Sequence, residues 1–115
     1  AALALGNSGL RLRDIRVLEI HEAFAAQILA NIRYMESDKW CRESLGMKGR
    51  MGEVDQDILN TRGGSLSLGH PFGATGGRLI AGCCARLKAE GAQFGLVAGC
   101  GAGAIGSAII LENAR

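Results

Sequence analysis

The sequence predicts an α/β layered fold with a mixed sheet, and three observations carry that prediction. Strand-like and helix-like apolar spacings alternate along the chain, as they do in layered α/β architectures. The last two apolar runs, residues 94–98 and 105–111, are joined by Gly99-Cys100-Gly101-Ala102-Gly103. That connection is too short for a crossover between parallel strands, so the runs must form an antiparallel hairpin or switch partners. Finally, 48% of the 115 residues are apolar, enough for one domain's core and too many for a disordered chain. No apolar run reaches the roughly 18 residues of a membrane-spanning helix.

Taken in order, Ala1 to Gly6 reads as the last turns of a helix closed by glycine. The chain lacks an initial Met and opens inside a helix, so it is expected to be a fragment, and residues 1–115 are expected to be part of one domain. Residues 16–20 alternate and read as a strand. Residues 22–35 follow as a helix with Phe24, Ile28, Ile32 and Met35 on one face. Ser37 is placed to cap a second helix that Gly46 ends, with Trp40 and Cys41 packing on it. Residues 47–57 read as a surface loop and 58–68 as a weak strand broken by Gly63-Gly64. After a turn around His70-Pro71, residues 75–90 form a helix whose buried stripe is expected to be Leu79, Ile80, Cys83, Cys84 and Leu87.

Charge excludes one class of function. Thirteen basic against 11 acidic residues leave a net +2, too balanced for nucleic-acid binding, and Arg11, Arg13 and Arg16 read as a solvated turn. The four cysteines show no secreted disulfide spacing, and no signal peptide is visible, so a reducing intracellular compartment is expected. No C-x-x-C or H-x-x-x-H spacing points to a metal. The segment from Gly101 to Gly106 matches G-x-G-x-x-G, but it is followed by a strand pattern rather than the helix a dinucleotide needs.

The chemistry concentrates at strand ends. His70 sits in Gly69-His70-Pro71 between a strand and a helix, where Pro71 keeps it out of the helical region. His21 lies at the other strand-to-helix junction. Cys100 stands between glycines at the close of an apolar run, where a thiol can be tuned to exchange a proton near neutrality. Loops at strand ends are where α/β sheets place chemistry.

Three segments together resemble one family. They are His21-Glu22-Ala23-Phe24-Ala25, the stretch from Gly63 through Gly69-His70-Pro71-Phe72-Gly73 to Gly76, and Cys100-Gly101-Ala102-Gly103. Their order and spacing resemble the C-terminal domain of thiolases over residues 1–112. His21, where most thiolases have Asn, and the segment 37–55 resemble the thiolase subunit of the fatty-acid oxidation trifunctional complex.

The resemblance implies a thiolase-like fold and CoA-dependent thiolytic cleavage of 3-ketoacyl-CoA in β-oxidation. CoA and acyl-CoA would be substrates, with no bound cofactor. A biosynthetic acetoacetyl-CoA thiolase, a more distant ketoacyl synthase relative, and a non-catalytic lipid carrier module are the rival readings. The implied roles are His70 activating a nucleophilic cysteine and bonding the thioester oxygen, and Cys100 as general acid/base. His21 belongs to one oxyanion hole and the Ala102 backbone N–H to a second. The nucleophile would lie in an N-terminal half outside this chain. A homodimer or tetramer, a hydratase/dehydrogenase partner subunit, and a bacterial cytoplasmic or mitochondrial location are implied too. The chain is also expected to begin after the first strand of a five-stranded sheet. With that strand expected in the middle, two edges would be unpaired, leaving the isolated chain inactive and poorly folded.

Overall fold

The computed structural model describes residues 1–114. Helix α1 (Ala2–Ser8) leads into strand β1 (Val17–Ile20), followed by helices α2 (Ala25–Met35), α3 (Asp38–Leu45), the single-turn α4 (Ser65–Leu68) and α5 (Thr75–Glu90), then strands β2 (Phe94–Gly101) and β3 (Ile105–Glu112). The sheet has the order β1-β2-β3, parallel between β1 and β2 and antiparallel across the β2–β3 hairpin. This is the mixed sheet with a closing hairpin that the sequence predicts.

Strand parity sorts the core into two layers. Leu18, Ile20 and Leu96 face α1 and α2, packing with Leu5, Ile28, Ile32 and Met35. Val17 and Val97 face α5 and meet Leu79, Cys83 and Leu87. Contact is close there: a Cβ on Gly95 would collide with Cys83 Sγ, so only glycine lets α5 approach the strand.

A buried charge network sits on the same face. Arg86, 1% exposed, donates from Nη1 to Glu19 Oε1 at 2.8 Å and to the Ile58 carbonyl at 3.0 Å, and from Nε to Glu90 Oε1 at 2.9 Å. Burial works against its charge, but the hydrogen bonds it donates to Glu90 and Glu19 outweigh it and hold the guanidinium above its ordinary pKa.

Several expectations are corrected. No strand lies between β1 and β2, because Val17 pairs with Gly95 and the register continues to Ile20 with Ala98. The strand expected over 58–68 survives as one parallel bridge, Leu18 with Leu59. Its second half is α4, because the Glu22 carboxylate accepts from the Leu66 N–H and draws the chain into a helical turn. The commitment of Glu22 to that bond also moves the start of α2 to Ala25, leaving Phe24 extended and 70% exposed rather than on the buried stripe. On α5 the buried stripe is Thr75, Leu79, Cys83, Arg86 and Leu87; Cys84 and Ile80 turn outward. Strand β2 runs on to Gly101, so Cys100 is a strand residue opposite Gly106 and the turn is confined to 102–104. The helix a dinucleotide would need after this glycine pattern is absent: β3 follows. Arg11, Arg13 and Arg16 are exposed, as expected of a solvated turn.

Candidate active site

The carboxyl ends of β1 and β2 open into a cleft of about 340 Å³ whose lining includes His21, His70, Thr75, Val97, Cys100 and Ser107. His21 continues β1 by one bond, its N–H donating to the Ala98 carbonyl at 2.8 Å. His70 arrives from the loop before α5. The two imidazoles stack obliquely with ring centroids 4.2 Å apart. Cys100 joins them two residues beyond Ala98. By alternation it belongs with Leu96 and Ala98, on the sheet face opposite to His21. The cleft takes in both because it lies where the strands end.

Each histidine is held through the same nitrogen by a hydroxyl. His21 Nδ1 lies 2.8 Å from Ser65 Oγ, and His70 Nδ1 lies 2.8 Å from Thr75 Oγ1. In both rings Nε2 has no hydrogen-bond partner among the described residues. His21 is 5% exposed, and its pKa is lowered first by burial, then by the neighbouring His70 and Arg78, with Glu22 opposing. His70 and Cys100 are exposed at the cleft mouth. Next to them Phe72, 83% exposed, packs edge-on to His70 at 5.0 Å and has φ 21°, a region that a bulky side chain enters only at a cost in strain.

A polar brace ties the His70 loop to β1. Asn60, at φ 47°, accepts from the Ile20 N–H at 2.8 Å and donates to the Ile20 carbonyl and to Glu22 Oε1. Its side chain thus stands in for a neighbouring strand at the edge of β1. Glu22 Oε2 then receives the Leu66 N–H. Glycine is required at 64 for this brace, since a Cβ there would run into the Glu22 carboxylate.

The structure therefore gathers His21, His70 and Cys100, while Ala102 lies outside the cleft lining, in the hairpin turn. Sequence reasoning missed Ser65, Asn60 and Arg78, and gave no role to Glu22 or Thr75. The only available signal for them was their position inside or beside the His21 and His70 motifs. No group of three or more metal-ligating side chains occurs among the described residues.

The fold and the paired imidazoles define a thiolase-type C-terminal domain, and comparison with known proteins agrees. Residues 1–113 match the family described as thiolase, C-terminal domain, and the chain belongs to that family. It is 50% identical over 108 residues to a probable 3-ketoacyl-CoA thiolase of Caenorhabditis elegans, covering 94% of this chain and 24% of that protein. It is 51% identical over 108 residues to the mitochondrial trifunctional enzyme subunit beta of Bos taurus, covering 94% of this chain and 23% of that one. The crystal structure of human mitochondrial 3-ketoacyl-CoA thiolase in complex with CoA superposes with a TM-score of 0.77 at 31% identity, over 99% of this chain and 25% of the other. The chain thus spans about a quarter of the length of these relatives, and the resemblance to the trifunctional branch is borne out.

Proposed function

We propose that this chain supplies one wall of the active site of an acetyl-CoA C-acyltransferase, which cleaves 3-ketoacyl-CoA with CoA to acetyl-CoA and a shortened acyl-CoA in fatty-acid β-oxidation. The observation that carries this reading is the meeting of two hydroxyl-anchored imidazoles and one thiol in a single cleft.

The chemistry asks for two sulfurs. A nucleophilic thiolate adds to the 3-keto carbon and the C2–C3 bond breaks, leaving an acyl-enzyme and the enolate of acetyl-CoA. The enolate carbon takes a proton from a second thiol. That thiolate then removes the proton of incoming CoA, whose sulfur displaces the acyl group. Cys41 and Cys83 are buried, and Cys84 is not among the cleft residues, so Cys100 is the one cysteine of this chain at the cleft. Cys100 is assigned the shuttle, and the nucleophile is assigned to a segment outside these residues. His70 polarises that nucleophile and donates to the thioester oxygen. His21 donates to the oxyanion of the same site, and the Ala102 backbone N–H to a second one.

CoA and acyl-CoA are then substrates with no resident cofactor. A homodimer or tetramer, association with a hydratase/dehydrogenase subunit, and a bacterial cytoplasmic or mitochondrial setting complete the reading. The test is thiolysis of a 3-ketoacyl-CoA by the full-length enzyme carrying this chain. Cys100→Ser and His70→Asn are each expected to lower kcat by at least about 100-fold. Full activity in Cys100→Ser would overturn the assignment of the shuttle.

A further inference from the structure

Ser65 opens α4 with its side chain almost wholly enclosed, 6% exposed, and nothing in the proposed reaction uses it. Its Oγ has two partners among the described residues: His21 Nδ1 at 2.8 Å and Arg78 Nη2 at 3.0 Å. A guanidinium only donates, so Ser65 Oγ accepts from Arg78. The hydroxyl has one proton of its own to give. If His21 carried its proton on Nδ1, Ser65 would accept twice and its O–H would be stranded in the interior without an acceptor, which is unfavourable. The arrangement that leaves neither the Ser65 hydroxyl nor His21 Nδ1 unpaired has Ser65 O–H donating to Nδ1, which leaves the imidazole proton on Nε2. Arg78 is itself held in place by the Gly69 carbonyl at 3.4 Å, in the loop that carries His70.

We propose that Ser65 and Arg78 are positioning residues that hold His21 as the neutral Nε2–H tautomer, so that its free nitrogen is a hydrogen-bond donor to the acyl oxygen rather than a base. The inference deepens the functional reading above and rests on it. The charged and titratable groups facing His21 are His70 from the loop before α5, Arg78 from α5 and Glu22 beside it in the chain. His70 and Arg78 oppose a second proton on His21. Glu22 favours one, but its carboxylate already accepts from Asn60 and the Leu66 N–H. A donor with a fixed proton suits a site where negative charge develops on oxygen, because no proton has to be rearranged as the barrier is crossed.

The experiment compares Ser65→Ala, Ser65→Thr and Arg78→Gln in the full-length enzyme, following thiolysis of a 3-ketoacyl-CoA across pH. Ser65→Ala is expected to lower kcat about 10- to 100-fold with KM within about 2-fold, the pattern of a donor that counts mainly in the transition state. The His21 titration, read from its ¹⁵N shifts, should move to higher pH by about 0.5 unit, because the bond to the neutral imidazole is gone. Ser65→Thr keeps the hydroxyl and should restore most of the lost kcat. Arg78→Gln keeps Ser65 but removes the opposing cation, and should also move the His21 titration upward.

An unchanged His21 titration in both Ser65→Ala and Arg78→Gln overturns the proposal. So does a Ser65→Thr enzyme that is folded by circular dichroism yet as slow as Ser65→Ala, which would mark Ser65 as mere packing. If the parent enzyme shows no thiolysis, the functional reading falls and the tautomer is decided separately, from the ¹⁵N shifts of His21 in histidine-labelled enzyme. A protonated Nε2 with a bare Nδ1 supports the positioning role, and the reverse overturns it.

Discussion

Replacing Arg86 with methionine removes the one cation that neutralises Glu19 inside the core. The two side chains are 1% and 6% exposed and meet at 2.8 Å. Breaking such a buried pair from one side leaves a desolvated carboxylate, at a cost of about 3–5 kcal/mol. The second arm of the network is different: Glu90 is 39% exposed, and losing its contact in Glu90→Gln should cost about 1 kcal/mol or less. The Ile58 carbonyl also loses its donor in Arg86→Met, which places the expected value toward the upper end. Against a total stability of about 6–17 kcal/mol for a chain of this length, the loss is a large fraction. The double variant Arg86→Met/Glu19→Leu should recover most of it, because no buried charge is then left unpaired. Urea unfolding followed by far-UV circular dichroism measures all four proteins side by side. An Arg86→Met variant no more costly than Glu90→Gln, or a double variant as unstable as Arg86→Met alone, would show that Glu19 does not depend on Arg86 in this way.

Gly64→Ala should push a methyl group into the Glu22 carboxylate and detach the brace that fixes α4 to β1, destabilising the fold by about 1–3 kcal/mol in the same urea assay. With a thiol-reactive reagent on the folded chain, Cys84 and Cys100 should be modified while Cys41 and Cys83 are spared, as mass spectrometry of the peptides would show. Cys83 resists for two reasons, since it is buried and burial pushes its thiol up to about 12.

Acid should destabilise the fold in two stages. His21 is held below its ordinary 6.5 by burial and by its His70 and Arg78 neighbours, so the unfolded chain takes up the proton first and stability falls as pH drops from about 6.5 toward the folded value. Glu90 is held below its ordinary 4.5 by the hydrogen bond from Arg86, so its contribution is present above that value and is lost as pH falls through the depressed one. Thermal unfolding against pH should lose the upper stage in His21→Asn and the lower stage in Glu90→Gln.

What was legible in the sequence is what depends on local pattern. The α5 and β3 boundaries followed from apolar spacing and from Gly91, which does end α5 in the left-handed conformation. Ser37 caps α3 through the Trp40 N–H as its position suggested, and Gly46 closes that helix. Gathering His21, His70 and Cys100 was readable because each occupies a strand end or the loop before a helix. What escaped depends on contacts far apart in the chain. Leu66 and Leu68 alternate with serines and imitate a strand, and only a carboxylate 44 residues away turns them into a helix. Ser65 and Asn60 fall in the segment read as a weak strand, and only the fold sets them against His21 and Ile20. Nothing near Arg86 in sequence announces that Glu19, 67 residues away, lies beneath it.

Helix α5 joins these separate stories into one mechanical part. Its first turn carries Thr75, which bonds His70, and Arg78, which bonds Ser65, the partner of His21; about 12 Å beyond Arg78, Arg86 is riveted into the core. The placement of this one helix therefore bears on both rings at once, directly on His70 through Thr75 and on His21 through Arg78 and Ser65. Substitutions on the outward side of this rod, where Cys84 and Lys88 sit, should therefore leave the rim of the cleft aligned.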